Sequence, residues 1–202
     1  MTKIKLCGLK RLEDIEVVNH LKPDFIGFIF VENSKRYINP IQAFQLKKSL
    51  NKDIKAVGVF VDEDIDIIKD IVEMNIIDMV QVHGSEDEIY LDNLRQAIKV
   101  PVIQAYKINT LDDVLKAVDS KADYILLDSK TGGSGSSFDW SLIKELKRDY
   151  FLAGGLSSDN VRDAIQTLNP YAVDVSSGIE IDGLKDKEKM CAFVEKVRSA
   201  NV

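Results

Sequence analysis

Certain polar residues in this sequence stand where short apolar runs end, and those are the places where a fold exposes chemistry. Asp128 follows Tyr124-Ile125-Leu126-Leu127, so a carboxyl group emerges from an apolar segment. Partial burial there raises a carboxyl pKa and suits a general acid; the same residue could instead cap the loop that follows. Cys7 ends the run Ile4-Lys5-Leu6. It is either a small inert hydrophobe or, if nearby donors ease its ionisation, a base or nucleophile. Arg36 lies in Ser34-Lys35-Arg36-Tyr37, a solvated charge cluster or a fork for a carboxylate or phosphate. Gln81 and His83 alternate with valines in Val80-Gln81-Val82-His83-Gly84 as candidate substrate contacts; alone, His83 reads as a structural hydrogen-bonding histidine rather than a catalyst. Asp174, inside Ala172-Val173-Asp174-Val175, is either an acceptor for substrate hydroxyls or a satisfied buried carboxylate.

Glycine and serine clusters form a second group. Gly132-Gly133-Ser134-Gly135, Gly154-Gly155 and Ser176-Ser177-Gly178 each follow an apolar run. Adjacent glycines let a backbone approach an anion closely, and free N–H groups at a short helix start supply donors. Each cluster alone could be only a tight turn. All of them on one face of a fold would make Gly133, Gly154, Gly155, Ser176, Ser177 and Gly178 a phosphate cradle.

These residues need a scaffold, and the apolar runs describe one. Runs of four to eight residues start near Lys3, Asp24, Ile54, Asp78, Pro101, Asp123, Tyr150 and Tyr171, about 21 to 30 residues apart, the size of one β-plus-α unit. Between them, sets such as Ile65-Ile68-Ile71-Val72 and Leu91-Leu94-Ile98 place apolar side chains on one helical face. Start signals accompany them: Asp62, Ser85 with Glu88, Thr110 with Asp113, Ser157 or Ser158, and Pro40 in a first turn. Trp140 reads as core packing at the start of a sixth helix. Strict alternation predicts parallel strands joined by right-handed crossovers. Eight units, with no glycine fingerprint after the first strand, predict closure into a single (β/α)8 barrel over residues 1–202 with short loops, its active site at the C-terminal strand ends.

Bulk composition sets limits. The sequence has 202 residues, 45% hydrophobic and 30% charged, with net charge -6, the balance of a folded soluble domain. That charge, with no basic block, argues against a nucleic-acid partner. No apolar run approaches the ~20 residues of a membrane span. Charges alternate with apolar residues in Met1-Thr2-Lys3-Ile4-Lys5-Leu6, which predicts no secretory leader and a cytoplasmic protein. Cys7 and Cys191 lack metal-ligand spacing, and with two histidines no metal or other cofactor is expected.

In these residues the chain resembles the phosphoribosylanthranilate isomerase family of tryptophan biosynthesis. The likeness runs in order along nearly the whole chain. It begins with Lys5-Leu6-Cys7-Gly8, Ser34-Lys35-Arg36-Tyr37-Ile38, Val57-Gly58-Val59-Phe60-Val61 and Val80-Gln81-Val82-His83-Gly84. Leu127-Asp128-Ser129-Lys130, Phe138-Asp139-Trp140, Ala153-Gly154-Gly155-Leu156 and Val173-Asp174-Val175-Ser176-Ser177-Gly178-Ile179-Glu180 complete it. Departures are Ser136, where the family usually has a lysine or other long residue, Lys10 in place of threonine and Ala153 in place of serine.

The resemblance implies an Amadori rearrangement of a phosphorylated aminosugar, with Asp128 as general acid and Cys7, as thiolate, as general base. It implies Arg36 on the anthranilate carboxylate, Asp174 on sugar hydroxyls, and Gly155, Ser176 and Ser177 on the phosphate. A monomer or homodimer is expected, with a small molecule as partner. Two rivals differ in kind: another phosphosugar isomerase or epimerase barrel, expected to carry a different base at the end of strand one, and a non-catalytic phosphate-binding barrel, expected to have lost the Cys7, Asp128 and Arg36 set.

Overall fold

The computed structural model describes residues 1–129, 140–144 and 146–200. Eight parallel strands close into a barrel in sequence order. They are β1 (Lys3–Cys7), β2 (Phe25–Ile29), β3 (Lys55–Phe60), β4 (Met79–Val82), β5 (Val102–Ile108), β6 (Tyr124–Ser129), β7 (Tyr150–Leu152) and β8 (Ala172–Val175). Closure pairs β1 with β8, Lys5 opposite Asp174 and Leu6 opposite Val175. The helices outside are α1 (Leu12–Leu21), α2 (Pro40–Ser49), α3 (Ile65–Glu73), α4 (Glu88–Ala97), α5 (Leu111–Asp119), α6 (Val161–Leu168) and α7 (Lys187–Ala200). This is the (β/α)8 barrel that the alternation predicts.

The strand period of two divides each strand between two cores. Outward residues such as Leu6, Ile26, Val80, Leu127 and Val173 join the large cluster beneath the helices. Inward residues Phe25, Val57, Met79, Ile103, Leu126, Phe151, Ala153 and Ala172 form a separate plug inside the barrel. Each large side chain in that plug contributes ~1.5–3 kcal/mol by leaving water. The plug closes the barrel interior, and the inward polar residues Gln81, Asp128 and Asp174 lie beyond it toward the C-terminal ends of their strands.

Helix starts show where local signals were read correctly and where they slipped. Thr110 and Asp113 form the expected capping box on α5, and Pro40 opens α2 behind the Asn39 cap. Asp64 rather than Asp62 caps α3, Asp87 rather than Ser85 caps α4, and Asn160 rather than Ser157 or Ser158 precedes α6. Asp62 has φ 49° and accepts a hydrogen bond from the Ser85 N–H at 2.7 Å, tying two loops together. Trp140 is half-buried against the core, as expected, but it opens a 3-10 turn, Trp140–Leu142, and not an α-helix.

After β8 comes a 3-10 turn, Ser177–Ile179, and then a small hairpin: β9 (Glu180–Ile181) antiparallel to β10 (Leu184–Lys185). Its two-residue turn is Asp182-Gly183, both at positive φ, 51° and 78°, as a tight hairpin requires. The hairpin reaches back over the barrel mouth and delivers Glu180 and Lys185 to it.

Candidate active site

A cavity of about 410 Å³ opens at the C-terminal ends of the strands. It is lined by Cys7, Arg36, Gln81, His83, Asp128, Asp174, Gly154, Gly155, Ser176 and Ser177, with Ile29, Val59, Ala153 and Leu156 as apolar wall. Residues from β1, β4, β6, β7 and β8 and their following loops thus converge as the barrel reading requires. Gly178 does not line the cavity: a Cβ there would overlap the Leu156 carbonyl oxygen. It is a packing glycine that lets the loop after β8 lie against the loop after β7. Gly133 lies outside the described residues.

Cys7 is buried on the inner face of β1, against Gly27 of β2, where a Cβ would stand 2.5 Å from its sulfur. Burial pushes the Cys7 thiol above its ordinary value; Lys5 and Lys185 pull it down, and the Asp174 carboxylate opposes them. Asp128 and His83 face each other across the mouth, His83 Nε2 to Asp128 Oδ2 at 3.4 Å. Gln81 Nε2 lies 3.1 Å from His83 Nδ1. Cys7 and Asp128 therefore look into one space, from β1 and β6.

Beneath Cys7, two residues earlier on the same strand face, lies Lys5, a fully buried lysine. Its ammonium donates to Gln81 Oε1 and to Asp174 Oδ2, both at 2.8 Å. Burial works to lower the Lys5 pKa, but Asp174 and the ionised form of Cys7 outweigh it and leave the lysine raised. Asp174 is half of each alternative open in the sequence: Oδ2 is satisfied by Lys5, while Oδ1 is buried without a hydrogen-bond partner among the described residues. A buried acceptor left open beside a cavity is costly unless a ligand donates to it.

Arg36 crosses the backbone of Gly8, whose φ is +83° and where a Cβ would stand 2.6 Å from Arg36 Cδ. The glycine in Cys7-Gly8 is required by both facts. The Arg36 fork is engaged by Glu180, Nε to Oε1 at 2.6 Å and one terminal nitrogen, Nη2, to Oε2 at 2.7 Å. Lys185 Nζ also reaches Glu180, at 2.5 Å, and the Ser176 carbonyl oxygen at 2.9 Å. Burial would raise Glu180, yet these two cations hold its carboxyl at about 2. Burial also lowers Lys185, against the pull of Glu180.

Gly154 and Gly155 both take positive φ, 86° and 64°, and turn the backbone after β7 toward the cavity. Ser176 donates its hydroxyl to the Cys7 carbonyl oxygen at 3.1 Å. Cation, carboxylates, thiol and a glycine-serine rim share one concave site, with an apolar strip between them.

Comparison with known proteins agrees with this architecture. Residues 4–196 match the family described as N-(5'-phosphoribosyl)anthranilate (PRA) isomerase. The chain belongs to this family. It is 45% identical over 203 residues to the N-(5'-phosphoribosyl)anthranilate isomerase of Endomicrobium trichonymphae, covering 98% of this chain and 100% of that one. The crystal structure of phosphoribosyl anthranilate isomerase from Thermotoga maritima superposes with TM-score 0.91 at 36% identity, covering 98% of this chain and 100% of that one. A phosphoribosyl anthranilate isomerase solved in complex with reduced 1-(o-carboxyphenylamino)-1-deoxyribulose 5-phosphate superposes with TM-score 0.88 at 34% identity, with coverage of 98% and 100%.

For this family member, sequence reasoning missed three charged residues at the site: Lys5, Glu180 and Lys185. Lys5 carried a usable signal, a charge inside an apolar strand in phase with Cys7. The hairpin that brings Glu180 and Lys185 was signalled by Asp182-Gly183 between Ile181 and Leu184.

Proposed function

We propose that the protein converts N-(5-phospho-β-D-ribosyl)anthranilate to 1-(2-carboxyphenylamino)-1-deoxy-D-ribulose 5-phosphate, an Amadori rearrangement in tryptophan biosynthesis. The activity follows the family, and residues 1–202 act as one catalytic domain. The observation that carries the reading is the shared cavity. Cys7 and Asp128 open on it together, with the Arg36 cation and the Gly154-Gly155 and Ser176-Ser177 rim on its wall.

In this reading Asp128, in its acid form, gives its proton to the furanose ring oxygen. The ring C–O bond breaks, and the nitrogen lone pair forms the C=N bond of a Schiff base. Cys7 as thiolate then takes the proton from the sugar C2, and that electron pair forms an enolamine as the C=N bond collapses to nitrogen. The enolamine tautomerises to the ketone. One proton leaves Asp128 and one arrives at Cys7, so solvent exchange resets the pair and no redox partner is needed. Each such group contributes roughly 10²–10⁴-fold.

Binding divides among the remaining residues. Arg36 takes the anthranilate carboxylate, and the apolar strip formed by Ile29, Val59 and Leu156 suits its ring. The open Oδ1 of Asp174 accepts from a sugar hydroxyl. Gly154, Gly155, Ser176 and Ser177 take the phosphate, with Gly178 supporting their loop from behind. The test is an assay of the purified protein with phosphoribosylanthranilate, following loss of substrate fluorescence. Turnover with product formation supports the reading, and its absence in folded protein overturns it.

A further inference from the structure

A hydrogen-bonded path runs along the cavity wall from Asp174 through the buried Lys5 to Gln81, and from Gln81 to His83, ending opposite Asp128. Its direction is fixed at one end. An ammonium can only donate, so the Gln81 atom 2.8 Å from Lys5 must be the amide oxygen. The Gln81 nitrogen then faces His83 Nδ1 at 3.1 Å. An amide NH₂ can only donate, so Nδ1 must present its lone pair. The proton of the neutral ring therefore sits on Nε2, 3.4 Å from Asp128 Oδ2.

We propose that His83 is a positioning residue for Asp128, held by Lys5 and Gln81 as the neutral Nε2–H tautomer. The proposal rests on the reading of Asp128 as the general acid. Its chemical consequence is specific. An imidazolium at that place would strip Asp128 of the proton that it must deliver. A neutral N–H donor leaves the acid form intact and supports the carboxylate that remains after the proton has gone. A proton on Nδ1 would set an N–H against the Gln81 NH₂, so the same amide selects the tautomer. The groups that bear on His83 are Gln81 on its own strand and Asp128 on β6, with Lys5 behind Gln81; Lys107, in register with Asp128 on β5, is exposed.

The test is ¹⁵N-histidine NMR on the whole protein. The chain has two histidines, and His20→Gln assigns the spectrum. The proposal expects His83, observed at pH 8, with Nδ1 bare and Nε2 protonated. An Nδ1–H tautomer overturns it. In turnover, His83→Leu is expected to lower kcat about tenfold with KM changed less than threefold, and His83→Gln, whose amide can donate toward Asp128, to recover most of it. Loss confined to KM, or equal loss in both variants, also overturns it. The NMR result stands apart from the isomerase reading: the expected tautomer in a protein whose Asp128→Asn variant keeps full turnover would refute the acid assignment and leave the tautomer claim intact.

Discussion

Arg36 and Glu180 meet fork to fork, 2.6 and 2.7 Å apart at two points, and Glu180 is held from its other side by Lys185 at 2.5 Å. The contact uses Nε and Nη2 of the guanidinium. A planar fork held by two parallel bonds presents its free edge in one orientation. Lys185 in turn reaches the backbone of Ser176, so Arg36 and the loop after β8 are joined through one hairpin.

Loosening that joint is expected to weaken binding more than chemistry. Glu180→Gln keeps one acceptor but removes the charge, and steady-state kinetics should show KM raised about tenfold, the scale of one charge-assisted hydrogen bond. kcat should stay within threefold of the wild type. Arg36→Ala should raise KM further. A fall in kcat with unchanged KM would contradict the positioning role of Glu180.

Glu180 also gives stability an acid-side dependence. Its folded carboxyl lies at about 2, below the ordinary 4.5. A depressed carboxyl contributes stability above the unfolded value, and that contribution is lost as pH falls from about 4.5 through about 2. Urea unfolding across that range should show the wild type losing stability more steeply than Glu180→Gln. Parallel curves would contradict the assignment.

The thiol has its own signature. Burial raises Cys7, and Lys5 opposes that rise. In a Cys191→Ala background, alkylation by iodoacetamide is expected to be slow at pH 7 and to climb about tenfold per pH unit toward pH 9, following the thiolate fraction. Lys5→Met removes the opposing charge and should slow alkylation at any one pH, because less of the thiol is ionised. An unchanged rate in the folded variant would show that Lys5 does not act on the sulfur.

Gly178→Ala tests packing apart from chemistry. The added methyl meets the Leu156 carbonyl oxygen, a backbone atom that cannot turn away. Thermal and urea unfolding should show a loss of about 2 kcal/mol, as overpacking at a rigid site costs. A neutral result would mean that the two loops part easily.

The barrel was legible because its signal is repeated. Eight apolar runs and their helices each say the same thing, and errors such as Asp62 for Asp64 shift a helix start without touching the topology. The cavity residues were legible because polar residues at the ends of apolar runs fall at the mouth of such a barrel. What the sequence withheld was pairing across the fold. Asp174 reads as satisfied or as open, and the structure makes it both, because its partner Lys5 is 169 residues away. Arg36 reads as a solvated charge or as a fork for a carboxylate or phosphate, yet Glu180, 144 residues on, takes half of its fork. Periodicity reports which face a side chain occupies and is silent about which residue shares that face from another strand. Gly178 shows the converse limit: a glycine among phosphate-loop residues whose reason is a neighbouring carbonyl.

The most direct measurement is turnover of phosphoribosylanthranilate by Cys7→Ala and Asp128→Asn beside the wild type, with circular dichroism on each. The account predicts intact folds and rates lowered by at least roughly 10²-fold in each variant. Near-normal rates in either folded variant would remove that residue from the chemistry.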